Sequence, residues 1–296
     1  MEGELVKTVV NHPVANEVPV QGVITGPRSV NWHPTAPHTL YWREALDGGD
    51  PMAEVEERDR LMRWEGPFDS EPEEVFRAEH RIRSTIWGPD GMLMLFQRER
   101  MKRWRYVWLL NVDKGTSKLW FDLSEDDRYN DPGYPLMTQL KNGKSIIQVE
   151  DGSIFFRGRG GTPDGDRPFV DKRNIKTGAV ERIFRSPKDK YEYFVGFGKG
   201  TKNFIMSSES PTDPPNLYMA KFGKSINAEE GESTREISKE PITDFEDPSP
   251  ELRQIENKIV KYEREDGVEL SFQLLLPPGY EEGTKVPTVV YAYPLE

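Results

Sequence analysis

The chain is 296 residues long and acidic, with a formal charge of −11 and an isoelectric point near 5.1, a length that suits two domains or one large all-β domain plus part of another. It has no Cys, which excludes disulfides, thiolate zinc sites and a Cys nucleophile, and its charge argues against the basic face that nucleic acid requires. No apolar run reaches the ~18 residues of a membrane span, residues 1–7 lack the pattern of a secretory signal, and seven Trp with an aromatic share of 11% suffice for a packed core.

The predicted elements are nearly all strands. In chain order they cover Thr39–Ala45, Met92–Arg98, Arg105–Val112, Lys118–Phe121, Ser145–Val149, Ser153–Arg157, Phe169–Asn174, Ala179–Phe184, Asn203–Ser207 and Asn216–Lys221. Each is bounded by Gly, Pro, Asn or Asp, as turn chemistry demands. The one stretch with a helical period is the charged Ala53–Arg63. The basic cluster Arg98–Arg105 falls between two strands and reads as a charged hairpin tip, with attraction of acidic ligands as the alternative.

Similar units recur along the chain. Ser29-Val-Asn-Trp-His-Pro34 before Thr39-Leu-Tyr-Trp42 parallels Ser84-Thr-Ile-Trp-Gly-Pro-Asp-Gly91 before Met92-Leu-Met-Leu-Phe96, with fainter copies ending at Gly143 and Gly200. Trp32 and Trp87 stand about 55 residues apart, and Gly91, Gly143 and Gly200 follow at intervals of roughly 52 and 57. Asp113-Lys-Gly115 and Lys176-Thr-Gly178 supply hairpin turns in the second halves of two units. Repeats of this length made of short strands are propeller blades, and about four are expected before Asp244; a β-sandwich with coincidental spacing is the competing architecture. Closed propellers usually have more blades, so further residues are expected on both sides of the chain.

The Pro- and acid-rich stretch Glu240–Pro250 marks a domain boundary. After it come Asn257–Glu263, a turn at Asp266-Gly267, and a predicted hairpin of Val268–Leu276 with Val286–Glu296 joined by Pro277-Pro-Gly279. One hairpin cannot bury a face large enough to stand alone. The expected layout is thus 1–250 as an incomplete propeller and 251–296 as the opening of a second domain. An open propeller flank and an unpaired strand at Val286–Tyr293 imply a tendency to aggregate.

Most chemical motifs are missing. There is no Gly-x-Ser-x-Gly elbow. Gly223-Lys-Ser225 lacks the Gly of a phosphate loop, whose place is taken by Tyr218. Gly158–Asp166 reads as a strand connection rather than a cation loop. His12, His33, His38 and His80 are not spaced as metal ligands, and His33 reads as a blade-turn residue. No metal or cofactor is expected. Tyr293, at the end of Val289-Val-Tyr-Ala-Tyr293, sits where an α/β-hydrolase strand can present an oxyanion-hole hydroxyl, or where a core Tyr would be buried.

Asp266-Gly-Val-Glu-Leu270, Leu276-Pro-Pro-Gly-Tyr280 and a strand ending Tyr291-Ala-Tyr-Pro294 resemble the prolyl oligopeptidase family of serine peptidases. Within it the chain is most similar to the glutamyl endopeptidase branch, through Thr39–Asp50, Asp131-Pro-Gly133, Gly161-Thr-Pro-Asp-Gly165 with Pro168-Phe169, and Tyr291–Glu296. The resemblance runs from about residue 27 to the end. It implies a β-propeller gating an α/β-hydrolase domain, peptide substrates, cleavage after Glu, and a Ser/Asp/His triad of which no member lies in this chain. Tyr293 alone carries over, as an oxyanion-hole donor, with Pro294 where other relatives have Gly. Without a nucleophile and base the 296 residues are expected to hydrolyse nothing on their own. The alternatives are a propeller module that binds a peptide or protein without catalysis, and a hydrolase completed by a separate chain. Membrane and nucleic-acid partners are not expected, and oligomeric state and localisation stay open.

Overall fold

Strand pairing follows the chain, as short turns between consecutive strands dictate. The computed structural model describes residues 4–198, 200–227 and 233–292. Blade 1 comprises β1 (Arg28–Trp32), β2 (Thr39–Ala45), β3 (Asp59–Glu65) and β4 (Glu73–Ala78), and blade 2 comprises β5 (Arg81–Trp87), β6 (Met92–Glu99), β7 (Trp104–Asn111) and β8 (Thr116–Ser124), each an antiparallel sheet in sequence order. The third module runs β9 (Tyr134–Pro135), β10 (Met137–Gln139), β11 (Ser145–Ile147), β12 (Val149–Glu150), β13 (Ser153–Gly158), β14 (Gly161–Thr162), β15 (Gly165–Asp166), β16 (Phe169–Asn174) and β17 (Val180–Arg185). Its main sheet is ordered β12-β13-β16-β17 with β9 on β13, while β10–β11 and β14–β15 are short ladders. Blade 4 comprises β18 (Tyr191–Phe197), β19 (Asn203–Glu209), β20 (Asn216–Asn227) and β21 (Ser233–Pro241) in that order, and a separate hairpin pairs β22 (Glu256–Glu263) with β23 (Glu269–Leu276). The fold is mainly β, a partial β-propeller of four blades followed by the strands of a hairpin. Among the described residues there is no α-helix, only a 3-10 turn at Pro250–Gln254.

The chain divides into two compact units, one made of Met1–Gly161, Pro168–Arg185 and Lys224–Glu236, the other of Thr162–Arg167, Ser186–Gly223 and Ile237–Glu296. In the first, the core is made by the faces of adjacent blades. Tyr41, Leu61 and Ala78 of blade 1 pack on Ile82, Leu93, Leu95 and Leu110 of blade 2. Met94, Phe96 and Val107 point the other way, onto Ile147, Ile154 and Phe156 of blade 3. Burial of five consecutive residues of β6, Leu93 to Gln97, is the signature of a sheet covered on both faces. The free face of blade 1, with Leu40, Trp42, Met62 and Trp64, is covered by Val9, Val30 and Phe68. In the second unit Phe194 and Phe204 stack at 5.3 Å, and Phe204 lies 4.3 Å from Phe222.

A buried ionic cluster joins blades 1 and 2. Asp59 has no exposed side-chain surface; it accepts from Arg81 Nη1 at 2.6 Å and from the Ile82 backbone N–H at 2.8 Å. Asp47, equally buried, accepts from Arg81 Nη2 at 2.5 Å, Arg58 Nη1 at 3.0 Å and the Gly49 N–H at 3.0 Å. Burial alone would push the Asp47 carboxyl up, but the bonds from Arg81, Gly49 and Arg58 outweigh it and hold the group below the usual range.

Two expectations fail. Ala53–Arg63 is not helical: residues 53–58 are loop and bend, and the remainder is β3. Its charges belong to neighbouring strands, Arg60 to Glu44 and Glu74, Arg63 to Glu73. The described part of Val286–Tyr293 is not a strand either, and the hairpin is β22 with β23, closed around Gly267 at φ +82°. The turn glycines Gly91, Gly143 and Gly200 all adopt positive φ, as do Gly115 and Gly178. Arg98–Arg105 does form a charged hairpin tip, with Arg98 on Glu125, Arg103 on Asp126 and Arg105 on Asp131.

Candidate functional site

Tyr293, the residue expected to donate to an oxyanion, lies outside the described residues, as does Pro294. The residues leading to it are described as far as Ala292 and have no strand partner; Val289, Val290 and Tyr291 are exposed. Nothing among the described residues joins a nucleophile to a base there.

A hydroxyl and an imidazole do meet on the turns of blades 1 and 2, where a cavity of about 430 Å³ is lined by His33, Thr35, Tyr41, Arg63, Asp90 and Asp113 among others. Here the Thr35 hydroxyl lies 3.2 Å from His33 Nδ1. That nitrogen already accepts the Ala36 N–H at 2.8 Å and the Thr35 N–H at 3.2 Å, so the ring proton is on Nε2 and Nδ1 cannot take a proton from the threonine. Burial holds His33 below its ordinary pKa, against a smaller opposing effect of Asp113, and pushes the Tyr41 hydroxyl up to about 12. Both are neutral at pH 7. The ring edge of His33 meets Trp87 at 4.1 Å, and Asn142 of the β10–β11 turn donates to the Pro34 carbonyl at 2.9 Å. His33 is a structural blade-turn residue. His80 stacks on Tyr106 at 4.7 Å. No group of three or more His, Asp or Glu among the described residues is placed to hold a metal ion.

A second cavity, of about 170 Å³, lies over strands β16 and β17 of blade 3. It is lined by Arg173, Arg182, Arg185, Asp171, Phe169, Gly160, Gly161 and the loop Tyr129–Asp131. Asp171, 1% exposed, accepts from Arg182 Nε at 2.9 Å and Nη2 at 3.3 Å, and Arg173 Nη2 stands 3.5 Å from it. The Arg182 guanidinium lies 4.4 Å over the Phe169 ring. Asp131 is held from outside the cavity, by Arg105 at 2.9 Å, and accepts the Gly133 N–H at 2.9 Å. Gly133 has φ +76°, and a Cβ there would meet the Arg157 carbonyl oxygen at 2.1 Å, so only glycine fits. Asp131, Gly161 and Phe169 come from three separate segments of the sequence that carry the family resemblance, and the fold gathers them around one arginine cluster. Spacing did not reveal that cluster, because Asp171 and Arg182 meet only through the β16–β17 register.

No protein-family model matches the chain. Two curated proteins match it over its entire length: a rice protein (Oryza sativa subsp. japonica) named probable glutamyl endopeptidase, chloroplastic, 32% identical over 310 residues, and an Arabidopsis thaliana protein of the same name, 30% identical over 311 residues. The match takes in 100% of this chain but 33% and 32% of those proteins, so the chain spans about one third of the length of the curated relatives it matches. Among solved structures, an acylaminoacyl peptidase superposes with a TM-score of 0.46 at 14% identity, over 88% of this chain and 33% of that one. Oligopeptidase B from Leishmania major superposes with a TM-score of 0.42 at 9% identity, over 87% and 40%.

Proposed function

The chain belongs to the glutamyl endopeptidase branch of the prolyl oligopeptidase family, and from that premise we propose that it is the propeller-bearing part of a serine peptidase. The observation that carries the reading is the 32% identity to a protein named as a glutamyl endopeptidase, over the whole chain. In this reading residues 1–250 are propeller and 251–296 open an α/β-hydrolase domain. The propeller controls access of peptides to a Ser/Asp/His triad that this chain does not supply. Cleavage after Glu is the expected preference, and Tyr293 donates to the developing oxyanion.

The test uses two proteins, the 296-residue chain and its in-frame genomic extension. Both are assayed on fluorogenic peptides with Glu or Gln at the cleaved position and treated with a fluorophosphonate that labels active serines. The chain alone is expected to be silent, while the longer protein labels at one serine and prefers the Glu peptide. Replacement Tyr293→Phe in the longer protein then lowers kcat by roughly 10²-fold with little change in KM. A longer protein that neither labels nor cleaves would leave the non-catalytic propeller, a binding module for peptide or protein, as the reading.

A further inference from the structure

We propose that a groove at one end of blades 1 and 2 binds a peptide by a carboxylate at Arg83, with the peptide's apolar side chains resting on Val20, Met52, Val55 and Met101. The proposal rests on the peptidase reading only for the ligand's being a peptide; the site itself follows from the geometry.

The groove, of about 760 Å³, is walled by the arm at residues 20–23, the β2–β3 loop and the β6–β7 tip. The arm is held by a close backbone contact, in which the Val23 N–H donates to the Gly49 carbonyl at 3.0 Å. A Cβ on Gly49 would stand 2.0 Å from the Val23 carbonyl oxygen, and one on Gly22 would stand 2.5 Å from the Gly49 oxygen. Neither position has room for a side chain, so the wall is built on glycine. Around it Val20, Met52, Val55 and Met101 are all exposed. Apolar side chains left in water about one concavity, with charged groups among them, mark a surface that takes a partner.

Arg83 supplies the charge. It is the extra residue of a β-bulge, since Ile82 pairs with Gln97 and Ser84 with Phe96, and a bulge re-aims the side chain it carries. Its carbonyl accepts Arg43 Nη1 at 2.7 Å, which ties its backbone to blade 1. The side chain is exposed and has no ion pair among the described residues. The buried acids at this end, Asp47 and Asp59, have no exposed side-chain surface and are shared by Arg28, Arg58 and Arg81. Of the carboxylates that line the groove, Glu99 is held by Lys102 at 2.8 Å and Glu79 lies 3.5 Å from His80; neither they nor Glu56 pairs with Arg83. The half-buried Arg43 registers the surplus: burial, then Arg28 and Arg83, hold it below its ordinary pKa against the opposing pull of Asp59. A carboxylate at Arg83 relieves that surplus.

Size and surface select the ligand. The volume lies within the roughly 300–1,000 Å³ of ligand pockets, far more than an inorganic anion fills. Methionine side chains adapt to varied apolar partners, and a guanidinium takes a carboxylate in two parallel bonds. An acidic residue between apolar ones presents both features at once.

The experiment titrates the 296-residue chain with acetyl-Leu-Glu-Leu-amide, its Leu-Gln-Leu and Gly-Glu-Gly counterparts, and octanoate. Affinity is read by calorimetry, and location by the Nε–H resonance of Arg83 and the methyl resonances of Met52 and Met101. The Leu-Glu-Leu peptide is expected to bind at least tenfold more tightly than either counterpart and to shift all three signals. Arg83→Gln should lose at least tenfold in affinity and with it the preference for Glu over Gln, whereas Met101→Ser should lose severalfold and keep that preference. Both side chains are exposed, so the urea midpoint should not move, and the peptide comparison on the unaltered chain decides in any case. Equal affinity for the Glu and Gln peptides, unaltered binding in Arg83→Gln, or octanoate binding without peptide binding would each overturn the proposal. None of these readouts needs hydrolysis, so failure here and failure of the peptidase reading are separate results.

Discussion

The hairpins β6–β7 and β22–β23 are built from the same kinds of residue and end in opposite states. In β6, Leu93, Met94, Leu95 and Phe96 are all buried, because alternate residues face blade 1 and blade 3. In β23, Leu270, Phe272, Leu274 and Leu276 line one face and Glu269, Ser271, Gln273 and the exposed Leu275 the other, and Phe272 remains 48% exposed. The register is regular in both hairpins. Strand propensity and backbone pairing therefore do not set burial here; the neighbouring sheet does. A run buried on both faces belongs to a blade with two neighbours, while the run Leu274-Leu-Leu276, with Leu275 exposed, belongs to a hairpin with at most one covered face.

The sharpest way to break this contrast is to truncate a side chain that faces a neighbouring blade. Leu95 is 0% exposed, and Leu95→Ala should cost about 2–5 kcal/mol, read as a lowered urea midpoint at unchanged slope. A loss under about 1 kcal/mol would mean that blades 1 and 2 are not packed as described. Next is the ionic end of the same interface: Asp59→Asn removes the charge that Arg81 and Arg28 share, leaving Arg81 with Asp47 alone, and should cost about 1–3 kcal/mol. Gly91→Ala follows at about 1–2 kcal/mol, since φ is +71° and a Cβ would stand 2.2 Å from Asp113 Oδ2.

The Asp47 carboxyl gives a smaller, pH-dependent effect. Its folded pKa is depressed, so its contribution is fully present above the unfolded value, near pH 4, and is lost as pH falls through the folded pKa. The stability gap between the unaltered chain and Asp47→Asn should be constant from pH 7 to pH 5 and shrink below pH 4. A gap that widens on acidification would contradict the sign.

Much of the propeller was legible because its central strands carry apolar residues between obligate turn glycines. Thr39–Ala45 and Phe169–Asn174 fall where the pattern places them. The edge strands did not show: β4, Glu73-Glu-Val-Phe-Arg-Ala78, and the charged β21 carry polar side chains on their open sides and so lack an apolar alternation. β3 read as a helix because its arginines have acidic residues nearby in sequence, whereas their partners, Glu44, Glu73 and Glu74, are on adjacent strands. The arginine cavity was hidden for the same reason. Asp131, Asp171 and Arg182 each look like ordinary surface charges until strand register and the β8–β9 connection bring them together.

The smallest expected effect is the other half of the comparison. Phe272 meets Val260 directly across the hairpin and Tyr262 diagonally, at 5.9 Å between ring centroids. That pair is the main contact Phe272→Ala would remove, and an exposed cross-strand pair contributes only about 0.2–1 kcal/mol. The midpoint of the 296-residue chain should therefore move by no more than about 0.5 kcal/mol, several times less than for Leu95→Ala. If the chain is extended through its genomic continuation and the hairpin's apolar face becomes one wall of a larger sheet, the same substitution should cost about 3–5 kcal/mol. A cost that is small in both forms would show that the face stays open in the longer protein, and would remove the hairpin as support for a second domain beginning near residue 251.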